Sequence, residues 1–107
     1  MIKIDNTIKK LQVVLTAAMT TTNMPVVVSW DDKDGGGSFD TATNGTTQVD
    51  ICTFSTSSTA LRTVKYISVY NADTVSKTVQ IRLLNNATAR IMISATLAVG
   101  DTLVYQA

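Results

Sequence analysis

Residues 77–96, KTVQIRLLNNATARIMISAT, decide the fold class. Val79, Ile81 and Leu83 alternate with Thr78, Gln80 and Arg82, and after Asn85-Asn86-Ala87-Thr88 the pattern resumes. There Ile91, Ile93 and Ala95 alternate with Arg90, Met92 and Ser94. A period of two means that one face of each segment is apolar, as in a half-buried strand. The short Asn-rich connection suits an antiparallel hairpin. The expected core residues are Val79, Ile81, Leu83, Ile91 and Ile93, with Gln80, Arg82, Arg90 and Ser94 facing solvent or a partner. Register is the test, because a slip of one residue moves every side chain to the other face.

The same reading extends in both directions. Leu11, Val13 and Leu15 alternate with Gln12, Val14 and Thr16, and after Pro25 the residues Val26, Val28 and Trp30 share a face. Gln48 to Phe54 alternates Val49, Ile51 and Thr53 with Asp50, Cys52 and Phe54. Leu61 to Tyr70 sets Ile67 and Val69 against Val64, Tyr66, Ser68 and Tyr70, and Thr102–Tyr105 follows the turn Val99-Gly100-Asp101. Composition agrees. With 18 Thr, 12 Val and 8 Ile, 38 of the 107 residues branch at Cβ, which favours pleated strands, and there is no Glu to furnish exposed helix faces. The expectation is all-β: a single antiparallel β-sandwich, jelly-roll-like or Ig-like, of about seven to eight short strands.

One domain accommodates this length. Residues 1–10, MIKIDNTIKK, place Ile2, Ile4 and Ile8 among Lys3, Asp5 and Lys9. They read as an edge strand of the same sheet or as an N-terminal arm that pairs with another subunit. If they are an arm, deleting residues 1–9 leaves a folded domain that assembles poorly. Residues 11–107 form the sandwich, interrupted at 31–47 (DDKDGGGSFDTATNGTT) by what reads as a long projecting Gly/Asp-rich loop. The first ten residues lack the apolar stretch of a signal peptide, and no run approaches the ~18 apolar residues of a membrane span.

Histidine is absent and Cys52 stands alone, which excludes imidazole-based triads, disulfides within the chain and thiolate zinc sites. Asp32, Asp34, Gly37 and Asp40 fall at positions 1, 3, 6 and 9 of a calcium-type loop. Gly36 lacks the oxygen expected at position 5, however, and Thr43 replaces the bidentate acid at position 12. These acids are weak metal candidates, and neither a metal nor another cofactor is expected. Paired acids on a glycine loop are poorly placed for acid–base work, and nothing resembles a serine-nucleophile motif, so an enzyme is not expected. A net charge of +1, with basic residues scattered, offers no footprint for nucleic acid. Trp30, Tyr66, Tyr70 and Tyr105, with Ile2, Ile4 and Ile8, are the candidate interface residues.

Residues 64–107, VKYISVYNADTVSKTVQIRLLNNATARIMISATLAVGDTLVYQA, resemble the small β-sandwich virion proteins of tailed bacteriophages. In those proteins a strand ending in VYN turns into a KTVQIRL-like strand, and a late L-x-x-G-[DE]-T-L turn introduces the last one. The resemblance covers about 40% of the chain. It implies a structural role: a capsid decoration or cement protein, with a tail accessory protein as the variant. It also implies a homo-oligomer (dimer or trimer) bound to the major capsid protein or other virion proteins. Such a protein sits on the capsid surface after assembly in the bacterial host cytoplasm, with neither nucleic acid nor membrane as partner. It transfers no site residues. A carbohydrate-binding β-sandwich module using Trp30 and nearby tyrosines is the alternative of a different class, and a calcium-dependent adhesion module ranks behind it.

Overall fold

The computed structural model describes residues 2–32, 35–54 and 61–107. It is all-β. The strands are β1 (Ile2–Ile4), β2 (Lys9–Leu15), β3 (Pro25–Asp31), β4 (Gly37–Ala42), β5 (Val49–Thr53), β6 (Arg62–Tyr70), β7 (Lys77–Asn85), β8 (Thr88–Leu97) and β9 (Thr102–Gln106). Two antiparallel sheets face one another. One runs β1-β6-β3-β4, with β9 also on β6; the other runs β5-β2-β7-β8. The apolar alternation of β2, β3, β6 and β7 supplies the layer between them. Leu11, Val13, Leu15, Val26, Val28, Ile67, Val69, Val79 and Ile81 are all buried there.

β1 and β9 occupy the same edge of β6 and point the same way. β9 pairs Gln106 with Tyr66, the Ala107 amide donates to the Lys65 carbonyl at 3.0 Å, and β1 continues with Ile2 opposite Val64. Counted as one interrupted strand, they leave four strands per sheet in the order of a jelly roll. The 1–10 segment therefore contributes an edge strand. Ile2 and Ile4, expected as interface candidates, lie in the core of their own chain. Ile8 alone of the three is exposed.

Three β-bulges correct the strict alternation. Opposite Arg82 stands Ile91 while Ile93 opposes Ile81, so Met92 is an inserted residue and the phase of β8 reverses there. Val79 and Ile81 are buried and Leu83 and Ile93 half-buried, as expected, but Ile91 lies 55% exposed on the outside beside Arg82. Lys65 is the extra residue of β6, which returns Val64 to the core instead of leaving it with Tyr66. Ile51 is the extra residue of β5, so Ile51 and Cys52 are both buried although they are adjacent.

The expected 31–47 loop is in large part a hairpin. β4 pairs along the length of β3, from Pro25 opposite Ala42 to Trp30 opposite Gly37. The glycines permit it. Gly36 has φ +107°, and a Cβ there would collide with the Trp30 carbonyl oxygen; a Cβ at Gly37 would lie 3.1 Å from the indole Cζ2. A glycine-rich run signals a loop by composition, but here it lets β4 lie flush against a tryptophan.

Candidate functional site

Two surfaces gather the residues singled out in the sequence. The first is the outer face of the five-stranded sheet. Tyr66, Ser68 and Tyr70 on β6 alternate with buried Ile67 and Val69 and so point outward. Cross-strand rows run Ser38–Ser29–Tyr66–Gln106 and Asp40–Val27–Ser68–Val104, with Tyr70 opposite Thr102. Asp40 is the only charged residue in these rows, and Val27, Tyr70 and Val104 are 41%, 44% and 51% exposed. A patch made largely of hydroxyl, amide and apolar groups can be covered by another protein with few charges to desolvate, here Asp40 within the rows and Lys3 and Asp31 at their border. Tyr105 is not part of it. Its Cα partner is the core residue Ile67, its ring packs on the core, and its hydroxyl accepts the Ile2 amide at 3.3 Å.

The second is a cleft of about 350 Å³ lined by Trp30, Phe39, Asp50, Ile51, Cys52, Thr53 and Arg62. Arg62 stacks 4.5 Å from the centroid of the Trp30 ring, and its Nη1 donates to the Thr53 carbonyl at 2.7 Å. Its Nε lies 3.9 Å from Asp32 Oδ2 and is buried without a hydrogen bond among the described residues. With Arg62 on one side of the indole and Gly37 against Cε2 and Cζ2, Trp30 is clamped between β4 and β6. The ring therefore holds the sandwich edge together and has little open face on which to stack a sugar. Phe39 is the exposed aromatic of the cleft.

Among the described residues, the titratable groups lining the cleft are Asp50, Cys52 and Arg62. Burial pushes the Cys52 thiol up to about 11, with Arg62 offsetting part of the rise, so it stays a neutral thiol near neutral pH. Asp32 accepts the Gly36 amide at 3.2 Å and faces Arg62, while Asp40 sits in the outward row of β4. Asp34 lies outside the described residues. Among those residues, no three acids or thiols come together as a metal-binding group.

Sequence reasoning missed the polar hub at one end of the sandwich. Asn71 and Asp73, in the stretch NADT, read as turn formers, yet both are buried. Asn71 Nδ2 donates to the carbonyls of Leu97 (2.9 Å) and Val75 (3.1 Å), and its Oδ1 accepts the Asp73 amide at 2.9 Å. Its backbone pairs with Asp101 and Gly100, tying together the β6–β7 and β8–β9 connections. The Asp73 carboxylate accepts Thr20 N, Thr21 N and Thr21 Oγ1 at 2.8–3.0 Å, which adds the β2–β3 crossover. Every one of these bonds is satisfied within the chain, so the hub is a brace for Tyr70 and its neighbours.

No protein-family model, curated protein or solved structure matches the chain.

Proposed function

We propose that this chain is a structural protein of a tailed-phage virion, a capsid decoration or cement protein that stabilises the head through protein–protein contacts. The observation that carries the reading is the centre of the outer face of the five-stranded sheet, where Val27, Tyr70 and Val104 stand exposed and Tyr66 half-buried among Ser and Thr, with Asp40 as the charged member of these rows. Lattice attachment works by area and shape complementarity, and tyrosine is suited to it because one side chain offers both an apolar body and a polar tip. The resemblance of residues 64–107 to small phage virion sandwiches supplies the kind of lattice. The partners are then the major capsid protein or other virion proteins, the chain acts as a homo-oligomer, and its place is the capsid surface.

Immuno-electron microscopy of particles purified from the source culture tests this with an antibody against the chain. Labelled heads support the reading, and label confined to tails moves the chain to the accessory class. Particles without label overturn it. The double variant Tyr66→Asp/Tyr70→Asp should melt cooperatively like the wild type yet fail to bind heads stripped of the native protein.

A further inference from the structure

We propose that Asn44-Gly45, in the β4–β5 connection, is a site of self-modification that the folded chain holds closed and that reacts once this connection comes apart. The inference does not depend on the virion reading. Asn44-Gly45 is the one Asn-Gly pair in the sequence, and its chemistry needs no other residue. The Gly45 nitrogen loses its proton to solvent base and bonds to the side-chain carbonyl carbon of Asn44. The carboxamide C–N bond breaks, the leaving nitrogen takes up a proton from water and departs as ammonia, and a cyclic imide remains. Water then adds and opens either imide C–N bond, leaving aspartate or isoaspartate. Glycine is the neighbour that permits this, because no Cβ shields its nitrogen. The fold requires glycine there for a separate reason: residue 45 has φ +55°, in the left-handed region.

The structure pins the reacting peptide at both ends. The Asn44 carbonyl accepts the Thr47 amide at 2.9 Å, and the Gly45 amide donates to Asn23 Oδ1 at 3.0 Å. For the nitrogen to reach the side-chain carbon, the plane of this peptide must turn, and turning it breaks both bonds. The bond to Asn23 also retains the proton whose loss begins the reaction, since deprotonation would leave a negative nitrogen facing an acceptor oxygen. Asn23 is itself anchored. Its Oδ1 accepts the Thr43 hydroxyl at 3.3 Å, whose oxygen accepts the Met24 amide at 2.9 Å, and Thr43 and Met24 are both buried. The Asn44 carboxamide, by contrast, is exposed and makes no hydrogen bond among the described residues. The electrophile is ready; the nucleophile is held.

Opening the connection releases that hold, and the product blocks the return. Isoaspartate places an extra methylene in the backbone, so a chain modified while open does not restore the Asn44–Thr47 bridge in its present register. The bond from the Leu15 amide to the Gly45 carbonyl, 3.1 Å in the intact turn, is disturbed with it. The modification is a permanent record that this end of the sandwich has opened.

The experiment incubates the full chain at pH 8, folded or in denaturing urea, and follows the peptide containing residue 44 by chromatography and mass after digestion. Position 44 should convert readily in urea and slowly in the folded chain. Asn23→Ala should raise the folded-state rate about fivefold, the equivalent of one hydrogen bond. Asn23→Asp, which keeps an acceptor oxygen, should leave the rate near that of the wild type. Ile81→Val is the control for a general loss of stability, because it thins the core without touching the turn, and it should accelerate conversion less than Asn23→Ala does. Equal rates for the folded and unfolded wild type would overturn the proposal. So would an Asn23→Ala chain that converts no faster than wild type, or an Ile81→Val chain that converts as fast as Asn23→Ala.

Discussion

Asp73 shows how much a single buried carboxylate does in a chain with little charge. Burial by itself raises its pKa, but hydrogen bonds from the Thr20 amide, the Thr21 hydroxyl and the Thr74 and Thr21 amides outweigh it and hold the carboxyl well below the usual range. A depressed folded-state pKa adds stability above the unfolded value of ~3.9, and that stability is lost as pH falls through the folded value. Asp73→Asn should therefore lower the urea midpoint at pH 7, and its deficit against wild type should shrink at pH 3. Asp73 was legible only as a turn residue, because its burial depends on Thr20 and Thr21, which come from a distant connection. Cys52 shifts the opposite way, upward. Its burial beside Ile51 follows from the β5 bulge, and the thiol should resist a maleimide at pH 8 in the folded protein and react fully in denaturing urea.

At the scale of the strand, the sequence reading identified β2, β3 and β5 to β9, took β4 for part of a loop, and was wrong about phase wherever a bulge intervened. Alternation identifies β3 and β7 because each keeps a period of two through its buried centre, whereas β2 is buried on both faces from Leu11 to Leu15. β5, β6 and β8 each carry one extra residue, and no local signal marks Ile51, Lys65 or Met92 as that residue. Stability measurements can read the reversal in β8. Ile81→Ala should cost about 2–5 kcal/mol as a core truncation, whereas Ile91→Ala should stay within about 0.5 kcal/mol in urea melts. β1 answers the question left open for residues 1–10. With Ile4 fully buried and Ile2 nearly so, the segment serves the folding of its own chain. Ile4→Ala should cost about 2–5 kcal/mol, and deletion of residues 1–9 should lower the melting temperature, contrary to the expectation for a detachable arm.

For the whole molecule, the fold class was legible because the dominance of β-branched residues and short polar connections constrains architecture locally, strand by strand. The neutral face was not, since Val27, Tyr66, Tyr70 and Val104 become neighbours only through pairings between distant segments. Asp40 and the glycines around it likewise looked like a loop until β3 supplied their partner strand. The shared edge of β6 carries a consequence for the covalent order of the chain. Ala107 points along the strand line that Ile2 resumes, so the backbone runs as an almost closed ring, and the gap falls within what is geometrically one strand. Joining Ala107 directly to Ile2, with Met1 removed, and opening the ring at the exposed turn between Asn86 and Ala87 should yield a circular permutant with the same circular dichroism spectrum and a cooperative melt. In that rearranged chain the halves now divided between β9 and β1 would be one uninterrupted strand, and the position of the cut would become a free variable of the architecture.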